Sequence, residues 1–214
     1  MTTLSLHSIE VRLGGIDVLR GLDLVVESGT SLSVLGPSGS GKTTLLQSIV
    51  GLRRPHGGRV VLGGKDITHV PTHERGIALV SQDPALQPNL TIAANVERPL
   101  AFADKQPKDK RRLRAFRELR RFRIGYIGNR RPGQTSAGEQ HVASTARGTV
   151  RGASLLLLDE PVIALDPIAR RSMIRQIRDQ QRREGTTMVV ATNDWEVAAG
   201  LADRLAVLIE GTIA

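Results

Sequence analysis

A chain of 214 residues is long enough for one α/β domain, or for one domain with a small insert, and its ordinary apolar share allows a sizeable core. The absence of cysteine excludes a disulfide framework and thiolate chemistry, and five aromatic residues (three Phe, one Tyr, one Trp) are too few for a platform that stacks single-stranded bases. The formal charge of +9, much of it arginine, admits attraction to nucleic acid or anionic lipid, but a solvated arginine-rich surface explains it more simply, so nucleic acid is not expected as a partner.

The cysteine-free composition suits a reducing cytosol. The start, Met1-Thr2-Thr3-Leu4-Ser5, lacks the basic-then-apolar pattern of a signal peptide. The longest apolar runs span about five residues, such as Leu205 to Ile209, far short of the ~20 that a membrane helix needs. Any membrane role is therefore borrowed from a partner.

Leu4 to Leu13 alternates apolar and polar and ends at Gly14-Gly15. With Ile16 to Leu19 and Leu22 to Val26 it predicts a small antiparallel sheet. Ser31 to Leu35 predicts a short buried strand, and Thr44 to Val50 a helix that stops at Gly51. Between them lies Gly36-Pro37-Ser38-Gly39-Ser40-Gly41-Lys42-Thr43, which matches G-x-x-x-x-G-K-[ST], the phosphate-binding P-loop. Gly36, Gly39 and Gly41 let the backbone approach a phosphate without a Cβ in the way. The amides at the helix start, through Thr44, point at the anion, and the helix dipole favours negative charge there. Lys42 is placed to reach the β- and γ-phosphates, and the Thr43 hydroxyl to bind Mg²⁺.

Arg59 to Leu62 and Ile77 to Val80 continue the β pattern, with Gly57-Gly58 and Gly63-Gly64 as turns. From Gln82 to Thr91 the chain is rich in turn residues, and Thr91 is placed to cap a helix from Ile92 to about Arg98. Lys108 to Arg123 predicts a strongly basic helix with Leu113, Phe116, Leu119 and Phe122 near one face, and Ser136 to about Val150 a further helix. Residues 82–152 thus read as a helical insert in an α/β core.

Leu155-Leu156-Leu157-Leu158 reads as a strand buried on both faces, and Asp159-Glu160 falls at its carboxyl end, where open α/β sheets place ligands. Asp159 is the natural Mg²⁺ partner of a P-loop, and Glu160 is placed to polarise an attacking water. Asp166-Pro167 caps a helix that runs to about Glu184 and ends at Gly185. Thr186 to Ala191 predicts a strand, Asp194 to Ala202 a helix and Arg204 to Ile209 a last strand, an alternation that predicts a mainly parallel core sheet.

With these stretches in order, the whole chain resembles the ATP-binding subunits of ABC transporters. The set is the P-loop, a glutamine loop at Gln82, a signature region at Thr135-Ser136-Ala137-Gly138-Glu139-Gln140, then Leu155 to Glu160 and the loop Pro161 to Asp166. The resemblance implies an ABC ATPase fold, with residues 1–81 and 153–214 as the nucleotide-binding core and 82–152 as a helical subdomain. It implies ATP and Mg²⁺ as cofactors, bound between two subunits packed head to tail. Ser136, Gly138 and Glu139 of one signature would face the nucleotide held by the other subunit's P-loop. Gln82 would sense Mg²⁺ and water and couple to a permease, and Asp166 would belong to the loop that communicates across the dimer. Arg75 to Val80 and Ala85 to Thr91 resemble bacterial importers, which implies separate permease subunits, a separate solute-binding protein and a peripheral place on the cytoplasmic face of the membrane. Importer subunits of this type commonly continue beyond the position of Ala214, so the chain is either a truncated or a minimal subunit.

Several positions depart from the family pattern. Leu13 stands where an adenine-stacking aromatic is usual, Ser81 where an aromatic precedes the glutamine, Thr135 for leucine, Ala137 for glycine and Ile163 for serine. If the backbone at Ala137 needs positive φ, the alanine costs about 1 kcal/mol. Asn193 replaces the histidine of a Thr-His-Asp pattern that holds the γ-phosphate. Asparagine donates only a neutral hydrogen bond, and losing one such transition-state contact can cost ~2.7–4 kcal/mol. The main expectation is a transport ATPase subunit. The alternative is a hydrolysis-poor nucleotide switch, or the inactive half of a heterodimer, favoured by Ala137, Ile163 and Asn193 and opposed by Lys42, Asp159 and Glu160. A soluble ABC protein of translation or DNA repair, with tandem domains or long coiled-coil inserts, fits least.

Overall fold

The computed structural model describes residues 2–103 and 106–214. They form two compact units, residues 2–79, 153–160 and 177–214 in the first, and residues 80–103, 106–152 and 161–176 in the second.

The first unit holds two sheets. β1 (Leu4–Leu13) and β2 (Ile16–Val26) form a hairpin closed by Gly14 and Gly15, both at positive φ, as a right-twisted two-residue turn requires. With β4 (Gly57–Leu62) and β5 (Lys65–Asp66) they make a four-stranded antiparallel sheet in the order β2-β1-β4-β5. The second sheet is mainly parallel. It contains β3 (Ser31–Leu35), β6 (Ile77–Val80), β7 (Leu155–Asp159), β8 (Thr187–Thr192), β9 (Arg204–Ile209) and β10 (Thr212–Ile213), ordered β10-β9-β3-β8-β7-β6. β3, β7, β8 and β9 run parallel, and β10 turns back along β9. This is the α/β P-loop fold with an antiparallel β subdomain expected from the strand and helix alternation.

β7 and β8 are buried along their whole length, which is why each has an apolar stretch of four residues, Leu155 to Leu158 and Met188 to Ala191. One apolar cluster joins β1, β2, β4, β3, β7 and β8 to the P-loop helix α1 (Lys42–Val50) through Leu45, Leu46 and Ile49, all fully buried. Arg75 lies beneath the C-terminal end of α1. Its guanidinium donates to the Ser48 and Ile49 carbonyls at 3.2 and 2.8 Å and to the Val70 and Thr68 carbonyls at 2.8 and 3.0 Å. Four backbone acceptors, one turn of α1 among them, are thereby satisfied by one buried cation.

The second unit is helical. α2 (Ile92–Ala103), α3 (Lys108–Arg121) and α4 (Ala137–Thr149) pack around Ile92, Val96, Leu100, Leu119, Ile127 and Ala146. α5 (Pro167–Glu184) starts here, and α6 (Trp195–Leu201) belongs to the first unit.

Four differences from the sequence expectations have local causes. β2 is one strand, because Gly21 at φ 68° absorbs an irregularity in the middle of it. Gly57 and Gly58 belong to β4 and not to a turn: a Cβ on Gly58 would sit 2.3 Å from the Ser8 carbonyl oxygen, so the glycine permits strand pairing at a bulge. α2 continues through Pro99 to Ala103, so the proline removes one helical hydrogen bond without ending the helix. α1 begins at Lys42, two residues early, because the Gly41 carbonyl already accepts the Leu45 amide at 2.8 Å.

Candidate nucleotide-binding site

β3 delivers the chain into the glycine loop, and α1 carries it away. Gly36 sits where no side chain fits: a Cβ would lie 2.3 Å from the Leu208 carbonyl oxygen and 2.8 Å from Ser40 Oγ. Gly39 and Gly41 hold φ of 84° and 106°, the left-handed region that glycine occupies at little cost. Pro37 accepts the Ser40 amide at 3.2 Å, closing the turn around Ser38, and Ser40 Oγ is buried without a hydrogen-bond partner. The first turn of α1 carries no acidic residue, and Gly41 provides no side-chain cap. The amides of Lys42, Thr43 and Thr44 are therefore left to an anion.

Lys42 is buried, and its Nζ donates to the Gly36 and Pro37 carbonyls, both at 2.8 Å. Burial lowers its pKa, while Glu160 and Asp159 raise it. Asp159, 4% exposed at the end of β7, has its pKa raised by burial, opposed by the Thr43 hydroxyl and the Lys42 charge. Glu160 follows at φ 48°, a left-handed conformation that costs a non-glycine residue roughly 1–2 kcal/mol. That strained turn swings the carboxylate toward the end of β8. There Glu160 Oε2 accepts the Thr192 hydroxyl at 2.9 Å, and Oε1 accepts the Asn193 amide at 2.8 Å. Burial raises the Glu160 pKa, and these two bonds and Lys42 lower it.

The structure thus brings the loop Gly36 to Thr44 together with Asp159, Glu160 and Asn193 in one unit. Leu13 ends β1, half-buried against the same apolar core. Thr192, the threonine of the Thr-Asn-Asp stretch, belongs to the cluster too, although the motif gives it no role toward the acid. Only the parallel pairing that sets Asp159 beside Ala191 places its hydroxyl next to the acid.

The donor set fits a triphosphate with magnesium: uncapped amides, a cradle that a Cβ would fill, a lysine and a carboxylate beside a threonine hydroxyl. No group of three or more His, Asp or Glu able to hold a metal by itself occurs among the described residues. Magnesium held jointly with nucleotide phosphates needs none.

The other predicted site residues fall in the second unit. Gln82 is exposed in its loop. The chain after it is tied down by α4, whose Arg147 donates to the Pro84 and Ala85 carbonyls at 2.7 and 2.8 Å. Asn95 bonds both the amide and the carbonyl of Gln87, at 2.7 and 3.1 Å. Ser136 caps α4 by accepting the Glu139 amide at 3.2 Å, and the Glu139 carboxylate accepts the Ser136 amide at 2.8 Å and the Tyr126 hydroxyl at 2.7 Å. Ala137 opens α4 and is not among the residues of positive φ, so the feared backbone cost does not arise. A Cβ on Gly138 would press on Leu165 at 3.1 Å. Asp166 caps α5, accepting the Ile168 and Ala169 amides at 2.9 and 3.0 Å.

Fold and site together define a P-loop nucleotide-binding cassette. The family model described as ABC transporter matches residues 19–163. The Fe(3+) ions import ATP-binding protein of Brucella abortus (strain 2308) is 38% identical over 212 residues, covering 99% of this chain and 60% of that protein. The spermidine/putrescine import ATP-binding protein of Marinobacter nauticus is 39% identical over 212 residues, covering 99% and 57%. A dimeric ATP-binding cassette solved in a post-hydrolysis state with ADP and Pi superposes with a TM-score of 0.91 at 30% identity, over 98% of this chain and 96% of that one. The chain belongs to the ABC transporter family. It spans about 60% of the length of the curated relatives it matches.

Proposed function

We propose that this chain is the ATP-binding subunit of an ABC importer, hydrolysing ATP to drive solute transport through separate membrane subunits. The observation that carries the reading is the meeting of Lys42, Asp159 and Glu160 at the carboxyl ends of β3 and β7. Import is supported by the names of the relatives, which concern ferric ion and polyamines. No described helix is long and apolar enough to cross a membrane, and permease subunits would supply the path.

In this reading residues 1–81 and 153–214 are the nucleotide-binding core, and 82–152 the helical subdomain. Lys42 and the α1 amides hold the β- and γ-phosphates, and Leu13 covers the base. Thr43 and Asp159 would hold the metal, a role that the resemblance also gives to Gln82. Glu160 orients the attacking water and accepts its proton. Bound ATP supplies the phosphoanhydride, and magnesium the countercharge. Ser136, Gly138 and Glu139 would serve the nucleotide of a second subunit packed head to tail, as the resemblance implies, and Asp166 would communicate across that contact. A solute-binding protein feeds the permease, and the subunit sits on the cytoplasmic face of the membrane.

A second reading, a hydrolysis-poor switch or the inactive half of a heterodimer, is favoured by one observation: Asn193 offers Glu160 a backbone amide and no imidazole. ATP binding to the wild type and to Lys42→Ala tests the common ground of both. Binding should weaken by at least about tenfold in the variant. Equal binding by the two proteins would remove both readings.

A further inference from the structure

The positive charge of this chain is not spread over it. Residues 80–152 and 161–176, the helical unit, carry 18 Lys and Arg against 7 Asp and Glu, a formal +11. The α/β unit carries 12 against 14, a formal −2. The whole excess of +9 therefore resides in one unit, where an arginine-rich composition alone would have enriched both. Concentrating like charge costs self-repulsion.

The densest part is α3, Lys108–Arg121, with eight basic residues and two acidic ones. Ala115, Glu118 and Leu119 face inward. Lys110, Leu113, Arg114 and Arg117 follow the i, i+3, i+4, i+7 spacing of one helical face, and all four are exposed. Leu113 is 51% exposed among these cations, and Phe102 of α2 is 79% exposed. Cations flanking an apolar tip on one helical face match the boundary between lipid headgroups and acyl chains.

We infer that the outer face of α3 is a docking surface for anionic phospholipid headgroups, and that it holds this subunit against the membrane independently of its permease contact. The preference for lipid over nucleic acid rests on the transporter reading and on the scarcity of aromatic side chains for stacking bases. A headgroup layer presents a dense field of phosphodiesters, which a charge of this size meets without needing a shaped pocket. Attraction of this kind weakens with salt, because counterions screen exposed charges.

The test is flotation of the purified chain with vesicles of phosphatidylcholine alone, and of equal parts phosphatidylcholine and phosphatidylglycerol. The chain should float with the anionic vesicles only, and less so as salt is raised. Triple reversal Lys110→Glu, Arg114→Glu, Arg117→Glu should lower the apparent affinity by roughly a hundredfold. Reversal of three exposed basic residues of the other unit, Arg54, Arg182 and Arg183, should leave it within about threefold. If the triple reversal does not fold, the neutral set Lys110→Gln, Arg114→Gln, Arg117→Gln replaces it and should show a smaller loss in the same direction. Flotation with neutral vesicles, no effect of the α3 variants, equal loss in the control, or displacement from anionic vesicles by duplex DNA at equal phosphate would each overturn the inference. ATP binding measured on the same samples separates failure of the nucleotide reading from failure of this one.

Discussion

Thr192 donates its hydroxyl hydrogen to Glu160 Oε2 at 2.9 Å while its own oxygen accepts the Asp194 amide at 3.1 Å. Thr192 is fully buried, so the hydroxyl has no competing water, and it holds the acid at the end of a turn that is already strained. Hydrogen bonds to a charged acceptor contribute about 1.5–3 kcal/mol. Thr192→Val should lower turnover by about tenfold to a hundredfold and leave ATP binding unchanged, while Thr192→Ser keeps most of the rate. The bond favours the ionised carboxylate, so its loss raises the Glu160 pKa, and the acidic limb of the pH–rate profile should move to higher pH. An unmoved limb with a reduced rate would mean that Thr192 serves only the fold.

Asn193 gives Glu160 its backbone amide, so a change of side chain leaves that bond in place. Asn193→His should therefore add an imidazole near the phosphates without disturbing the acid, and raise turnover by about tenfold or more. Steady-state hydrolysis of the two proteins side by side checks this, and equal rates would show that the asparagine is no handicap.

The glycines of the loop should differ in what they tolerate. Gly36→Ala drives a methyl group to 2.3 Å from the Leu208 carbonyl, a backbone atom that cannot rotate away. A loss of about 1–3 kcal/mol in stability is expected, together with loss of ATP binding. Gly39→Ala meets nothing within 4 Å, and its cost is that of a left-handed alanine, about 1–2 kcal/mol. Thermal melts should rank Gly36→Ala as the more damaging of the two.

The site was legible where its residues are contiguous. The eight residues Gly36 to Thr43 declare phosphate binding without any tertiary knowledge, and four buried leucines ending in Asp159-Glu160 mark a central strand carrying its acids to the sheet edge. What stayed hidden depends on pairing between distant segments. Thr192 meets Glu160 across 32 positions, and Arg147 reaches Ala85 and Pro84 across 62 and 63. No local pattern records such contacts. β5 and β10 span two residues each, too short for any alternation to be visible. Proline and glycine misled for the opposite reason. At Pro99, Gly21 and Gly57 their usual meaning as punctuation gave way to a helix continuing and strands bulging.

Asp203 joins three segments of the α/β unit. It accepts the Ser31 amide at 2.9 Å and the Ser31 hydroxyl at 2.8 Å, and it pairs with Arg178 of α5. Arg178 first, then Ser31, holds its pKa down to about 2 against the penalty of burial. A depressed carboxylate contributes stability that is present above its unfolded pKa, near 4, and lost as pH falls through about 2. Because the carboxylate is 42% exposed, solvent screening limits the contribution to about 1 kcal/mol. Asp203→Asn should unfold more easily than wild type at neutral pH, and the gap should close as denaturation is followed down toward pH 2. A gap independent of pH would assign the effect to shape and not to charge.

The most direct test of the account is steady-state ATP turnover of the purified chain with Mg²⁺, beside Glu160→Gln and with ATP binding measured on both. Magnesium-dependent turnover is expected in the wild type and its loss in the variant, with binding retained. Turnover unchanged by Glu160→Gln would contradict the role given to the acid, and absence of ATP binding in either protein would contradict the nucleotide site itself.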